Sequence, residues 1–488
     1  MNEASLKRNM LLNAGKVILT LVFYLISFSH ISNVLGVENL GKYSFSYSII
    51  EYFLLFANLG VVDYAVREGA RIRDDREKFE SFASEIFSLN LVTTLISYLA
   101  LLICVILVSK FHLYWPLISI LAIRIIFQTL GVEWVFTIYE DYVYLNIRAV
   151  LFQFISFILL MTLVENENDL LIYTSIMAFS TIGRDICNLF FLRKHCRLSL
   201  TLNINWRKHL KPILTIFAFT LTTSLYVNSD MTILGFLCSD YETGIYSVAV
   251  NVYTVLKGLL SSIIVVSVPR FAALLGKKDK EGYNELARDV EHTLMLLVMP
   301  TATGVLVLRK EIISLISSSD YYRAAAPLGI LAIAVILAMG AWFWTAAILV
   351  PAKQEKVVFK AALASALVNI VLNFILIPYY QEVAAAFTTV IAEGLSFLIC
   401  YLGGRNLVKI KGSRKSLLQI LTGCIGISIF IKLLSLSSLS NSKLVVLAVI
   451  GSVIIYGLIE IFLKNDAMMS LVNLIKGRLN FQKKEEQL

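Results

Sequence analysis

Long apolar runs separated by short polar segments fill almost the whole chain. Fourteen of them lie near 10–34, 42–65, 81–108, 114–137, 142–163, 169–192, 212–237, 243–267, 291–308, 325–350, 357–377, 382–403, 416–435 and 443–463. About 20 mostly apolar residues, rising 1.5 Å each, cross the hydrocarbon core of a bilayer. Inside lipid every backbone N–H and C=O must find a partner within the chain, so each run predicts a helix. The pattern predicts an all-α polytopic membrane protein with about 14 transmembrane helices. The connecting segments are too short to hold a separate soluble domain. The first run is also too long for the apolar core of a cleavable signal peptide.

Composition agrees. Of 488 residues 58% are apolar and only 16% charged, which no water-soluble core could absorb. The six cysteines (Cys104, Cys187, Cys196, Cys238, Cys400, Cys424) are scattered without a CxxC pair. They suggest neither a disulfide framework nor a metal site. The net charge of +9 would suit nucleic acid, but its distribution argues otherwise. With the N-terminus in the cytoplasm, 31 of the 43 basic residues fall in inside segments and six in outside loops. This asymmetry predicts N- and C-termini inside and contact with anionic membrane lipid.

The chain repeats itself at an offset of 203 residues. Gly41-Lys-Tyr43-Ser44 opens the second run and Gly244-Ile-Tyr246-Ser247 the eighth, preceded by Leu35-Gly36 and Leu234-Gly235. Six runs separate the copies, so both point the same way. The expectation is two pseudo-symmetric six-helix lobes, at 1–200 (spans 1–6) and 201–412 (spans 7–12), related by an axis along the membrane normal. Residues 413–488 then hold two further helices, spans 13–14, and a cytoplasmic tail. Transporters with two such lobes bind substrate near the bilayer midplane and expose it to each side in turn.

A charge at the bilayer centre costs about 3 kcal/mol even on lenient scales, so charged residues within spans mark a wet cavity or a partner. The basic set is Lys16, Arg124, Arg148, Arg184, Lys257 and Lys432; the acidic set is Glu51, Asp63, Glu133, Asp185, Asp230 and Glu393. Lys432, near an outer end, is expected to snorkel. Span 1 carries one polar stripe, Asn9, Asn13, Lys16, Thr20, Tyr24 and Ser27, at helical spacing. Span 8 repeats it in short form with Thr254, Lys257 and Ser261. In lipid such a stripe lines a cavity. Cations there would suit an anionic head group taken from the cytoplasmic leaflet, with Lys16, Tyr24, Arg124, Arg148, Arg184 and Lys257 as candidate substrate-binding residues. The plainer reading is that these charges pair and lock helices, with Glu51 and Asp230 neutralising Lys16 or Lys257. Glu51, Asp230 and Glu393 are candidates for proton or sodium coupling; no other cofactor is expected. His30 reads as a helix-packing residue.

These residues together resemble the bacterial polysaccharide flippases of the multidrug/oligosaccharidyl-lipid/polysaccharide exporter superfamily, over about residues 7–410. The stretch from Ile31 to Asp75 looks like the family's opening, and Arg67-Glu68 matches its Arg-Glu pair after span 2, a gate or cytoplasmic motif. Glu133-Trp134, Glu140, Arg148, Tyr226, Asp230, Leu234-Gly235, Gly244-x-Tyr246 and Pro269-Arg270 match in order. Asn369, Asn373, Pro378, Thr389 and Glu393 resemble its span 11–12 signature. The family often has Gly at Gln381 and Ala384, Ala at Thr388, and a lysine at Asn251. The resemblance implies a non-enzymatic flippase in the bacterial cytoplasmic membrane. Its substrate would be undecaprenyl pyrophosphate carrying an O-antigen or capsule repeat unit, moved outward by alternating access. It also makes the polysaccharide polymerase machinery a candidate partner, with a monomer favoured and no role for nucleic acid.

Two rival readings remain open. A cation-coupled multidrug antiporter of the same superfamily would want carboxylates deep in the cavity, as Glu51, Asp230 and Glu393 are. A membrane polysaccharide polymerase or ligase would need an ordered outer loop, and the longest here, 309–324, has only 16 residues. No GxxxxGK[ST] run offers a phosphate-binding loop for ATP.

Overall fold

The computed structural model describes the backbone of residues 3–410, 414–437, 439–470 and 472–473. It also describes their side chains, apart from those of residues 3–22, Tyr24, Leu25, Phe219, Thr223, Tyr226, Val227 and Arg414. Among the described residues nine helices are long and apolar enough to cross a membrane, or ten if one bent pair counts as a span. The chain separates into two compact units, Met1–Ser247 and Val248–Leu488.

The first unit opens with α1 (Glu3–Asn58), broken at Gly36, where φ is 74°. The partners of its two arms reveal a hairpin. Phe23 stacks on Phe157, His30 Nε2 lies 2.9 Å from the Val164 carbonyl, Asn39 reaches the Glu167 carbonyl and Tyr43 meets Tyr173. The first arm therefore runs along one neighbour towards residue 164, and the second returns along the next. The loop expected at 35–41 is a one-residue reversal, and Gly36 supplies the positive φ that side chains disfavour.

After Gly60, α2 (Val61–Gly69) departs at 41° from the second arm. There follow α3 (Arg76–Leu107), α4 (Ser109–Leu113), α5 (Trp115–Gly131), α6 (Glu133–Ile138), α7 (Tyr142–Leu163), α8 (Leu170–Phe191) and α9 (Trp206–Leu237). The span expected at 114–137 is interrupted: Val132, at φ 37°, separates α5 from α6.

The α3 helix is inside-out by aqueous standards. Asn90, Thr93, Thr94 and Ser97 are buried, while Leu95, Leu99, Leu102 and Ile106 are exposed. Its buried side chains bind the backbone of α1: Asn90 donates to the Ala57 carbonyl at 2.8 Å, Thr93 to the same carbonyl at 2.6 Å and Ser97 to the Phe53 carbonyl at 2.6 Å. The Ala57 carbonyl is one of the last four of α1, which lack helical partners, while that of Phe53, one turn earlier, takes Ser97 as an additional donor. A face of exposed leucines with polar groups turned inward fits lipid as the solvent.

The segment between α8 and α9 is extended and lies along α3. Its alternate N–H groups, at Arg197, Ser199 and Thr201, donate to Glu80, Ser84 and Ser88, one acceptor per helical turn. Two extended residues advance about as far as four helical ones, so the two repeats stay in register. His209, fully buried at the start of α9, sits between the Tyr64 hydroxyl at 2.8 Å and Glu85 at 3.1 Å. Burial holds its pKa below the ordinary value while Glu85 pulls the other way.

α10 (Asp240–Gly276) begins in the first unit and continues into the second, where α11 (Lys280–Val307), α12 (Arg309–Ile316), α13 (Ala325–Phe343), α14 (Glu355–Gly404), α15 (Arg414–Leu434) and α16 (Asn441–Phe462) follow. α14 is a second hairpin, closed at Gln381 (φ 51°). A Cβ on Gly403 would lie 2.5 Å from Val357, and Asn373 accepts from Thr388 at 2.5 Å. Arg323 fastens the reversal, donating to both oxygens of Glu382, which is 3% exposed, and to Gln381. Arg323→Ala leaves that carboxylate buried and unpaired. Because Arg323 itself is about half exposed, the expected cost is about 2–3 kcal/mol rather than the full buried-pair penalty. Thermal unfolding in detergent measures it; Glu382→Gln in the same background should recover most of the loss.

Candidate functional site

In the first unit Arg124 and Arg148 each centre a cluster, and Asp185 lies within electrostatic reach of both. Arg124, on α5, reaches Glu51 on α1 at 3.1 Å, and its guanidinium lies 4.9 Å over the ring of Tyr47. Tyr47 and Glu51 are one turn apart on α1, so they present an aromatic face and an acid to the same cation. One terminal nitrogen of Arg124, Nη1, is buried without a hydrogen-bond partner among the described residues.

The second cluster surrounds Arg148 on α7. It binds Glu133 at 2.6 Å, the Arg184 carbonyl at 2.8 Å and the side chain of Asn188. Glu133 heads α6 directly after the left-handed Val132, so the break in the expected span is what aims the acid at α7. Arg184 donates Nε to the Ser180 carbonyl on its own helix at 3.1 Å. It makes no ion pair among the described residues. Asp230 accepts from the Tyr246 hydroxyl at 2.9 Å.

In the second unit Lys257 binds Glu393 at 2.8 Å, and the Tyr253 hydroxyl donates to the same Glu393 oxygen at 2.6 Å. Tyr253 and Lys257 share a face of α10, one turn apart. The pair is asymmetric: Glu393 is 4% exposed, Lys257 33%. The acid is buried while the ammonium is one-third exposed. Nearby on α14, Asn369, Asn373 and Thr388 form a buried polar set across the hairpin.

The expected neutralisation of Lys257 by Glu51 or Asp230 is therefore replaced by Glu393, and Glu51 is taken by Arg124. Arg67, Glu68 and Arg71 form a surface chain of ion pairs at 3.0 Å, apart from the clusters just described. Lys16 and Tyr24 lie outside the residues whose side chains the structure describes. Sequence reasoning passed over Tyr47, Tyr253 and Asn188. The two tyrosines carried a signal, each four residues before a charged partner.

The two repeat copies meet at their glycines. A Cβ on Gly41 would collide with the Asp240 carbonyl, and one on Gly244 with the Val37 carbonyl. Both contacts obey the 203-residue offset: 41 maps to 244 and 37 to 240. Without side chains at these two positions, the backbones of α1 and α10 come into direct contact.

Long apolar helices, hairpins broken at single residues and cation–carboxylate pairs within them define a multi-pass all-α membrane protein. The fold matches a solved structure of the lipid II flippase MurJ in an inward closed conformation, with TM-score 0.74 over 93% of this chain and 98% of that one, at 17% identity. It also matches an inward-facing multidrug resistance MATE family transporter, with TM-score 0.61 over 79% and 94% at 13% identity. In sequence the chain is 24% identical over 414 residues to the putative O-antigen transporter of Escherichia coli (strain K12), covering 83% of this chain and 98% of that protein. It is 24% identical over 378 residues to the capsular polysaccharide biosynthesis protein CapF of Staphylococcus aureus, covering 75% and 90%. The polysaccharide biosynthesis protein family matches residues 6–275, more than half of the chain, and the MatE family residues 215–375. The chain belongs to the polysaccharide biosynthesis protein family.

Proposed function

We propose that this protein carries an undecaprenyl-pyrophosphate-linked oligosaccharide, an O-antigen or capsule repeat unit, from the cytoplasmic to the outer leaflet by alternating access. The observation that carries the reading is the Lys257–Glu393–Tyr253 cluster: an accessible ammonium held in place by a buried acid. Such a cation offsets the hydration lost when a pyrophosphate leaves water. We assign Lys257, Arg124, Arg184 and Lys16 to the pyrophosphate, and Tyr24 to the sugars. The named relatives in O-antigen transport and capsule synthesis support the same cargo. In this reading the chain crosses the bacterial inner membrane 14 times, as two six-helix lobes and two further helices, with both termini in the cytoplasm.

The antiporter reading draws on the MatE match, yet two of the carboxylates it needs, Glu51 and Glu393, are already bound to Arg124 and Lys257. The test is flipping in proteoliposomes. A fluorescent lipid-linked oligosaccharide should become accessible to a membrane-impermeant quencher only when protein is present. Transport of organic cations with no movement of the lipid-linked sugar would establish the antiporter instead.

A further inference from the structure

Beside the Arg148 cluster the first unit holds a cavity of about 380 Å³, between α7 and the end of α8 and next to α6. Packed rings fix its walls. Phe136 stacks on Tyr144 with centroids 5.0 Å apart, Tyr144 meets Phe191 at 5.1 Å, and the His195 ring stacks on Tyr139 at 4.8 Å. Deeper in, the Phe152 ring fills the space that a side chain at Gly183 would need. The protein's own packing thus sets the shape, which lowers the ordering cost of binding.

The lining changes character along its length, and both helices change in the same sense. On α7, Asp141 and Tyr144 stand at the start, while Leu151 and Phe152 lie about two turns beyond Tyr144. On α8, which runs the opposite way, Lys194 and His195 follow the helix, while Phe191 and Cys187 lie within it. The apolar part opens sideways: Ile147, Leu151 and Phe191 are each more than half exposed. At the polar end Arg148 spends its two terminal nitrogens on Glu133, the Arg184 carbonyl and Asn188. Its Nε and the adjoining Tyr144 hydroxyl are buried and make no hydrogen bond of good geometry with any described residue. Asp141, the acid of the lining, faces His195 at 3.5 Å, and Lys194 stands exposed.

Donors at one end and apolar walls leading away from them match an amphiphile with an anionic head. A soluble anion would leave the open apolar half uncovered. A lipid without net charge would leave the positive charge of Lys194 unmatched. We propose that this cavity binds one anionic phospholipid, its phosphate on Arg148 Nε, the Tyr144 hydroxyl and Lys194, and an acyl chain along Ile147, Leu151 and Phe191. Such charge-assisted contacts hold a phosphate, and the chain covers apolar surface. This is a built site for one lipid, beyond general contact with the bilayer, and it does not depend on the cargo assigned above.

The test is photocrosslinking of the full chain in detergent with a phosphatidylglycerol that carries a diazirine on one acyl chain. Crosslinks mapped by peptide mass spectrometry should fall on α7 near Ile147 and Leu151 and on α8 near Phe191. Unlabelled phosphatidylglycerol should compete at these peptides, and phosphatidylcholine should not. Lys194→Gln should raise the concentration needed for half-maximal crosslinking about tenfold, the loss of one charge-assisted contact. Leu151→Trp narrows the apolar part with every charge in place and should also remove the crosslinks. Both side chains are exposed, so neither variant should unfold the protein. Equal competition by the two phospholipids would overturn the proposal, leaving a gap that any lipid fills. So would crosslinking unchanged in Lys194→Gln, or none at these peptides. Displacement of the probe by a lipid-linked oligosaccharide where phosphatidylglycerol fails would also overturn it and give the cavity to the cargo.

Discussion

Lys257→Ala is expected to cut export of the lipid-linked glycan at least about tenfold, the equivalent of 1.4 kcal/mol of lost transition-state or binding stabilisation. It also strands Glu393, which among the described residues then keeps the Tyr253 hydroxyl at 2.6 Å. Breaking a fully buried pair costs about 3–5 kcal/mol, and the exposure of Lys257 brings the expected figure down to about 1–3 kcal/mol. A single variant therefore confuses instability with lost binding, and the double variant Lys257→Met, Glu393→Gln separates them. With both charges gone, protein abundance should recover because nothing buried is left unpaired. Export should stay low because the cation is still missing. Glycan export, measured against immunoblotted protein, reads both. Normal export by the double variant would reduce the pair to a helix clamp and remove Lys257 from the cargo site.

Gly41→Ala and Gly244→Ala should each destabilise the protein by about 2–3 kcal/mol. In both cases the new methyl meets a backbone carbonyl, at Asp240 or at Val37, which no change of rotamer can move. The sharper expectation concerns the pair. One separation of α1 from α10 relieves both clashes, so the double variant should cost clearly less than the sum of the singles. Thermal or denaturant unfolding of the four proteins closes the cycle. Additive costs would mean that the two contacts are independent, and that the 203-residue repeat has no counterpart in packing.

Much of this architecture is visible in the chain because lipid imposes it. A run such as 81–108 has one stable backbone solution in hydrocarbon, and α3 takes it. The reversals were harder to see. Gly36 and Gln381 each turn the chain within one residue, where several loop residues were expected. At Gln381 the signal was there, since the resembling family often has glycine at this position and the residue sits at φ 51°. The site was legible in kind but not in pairing. That Lys257 and Arg124 matter follows from the cost of burying charge. That their partners are Glu393 and Glu51 does not, because 136 and 73 residues separate them and no period links such positions.

The inverted face of α3 changes which substitutions the protein can absorb. Leu95, Leu99, Leu102 and Ile106 are exposed on an apolar face, and any residue of similar oiliness serves there. Ser97 and Thr93, trivial on the outside of an aqueous enzyme, here occupy positions where even a methyl-for-hydroxyl exchange removes one of the donors to a carbonyl of α1. For this chain the usual rule of mutational tolerance, permissive polar surface and strict greasy interior, runs backwards.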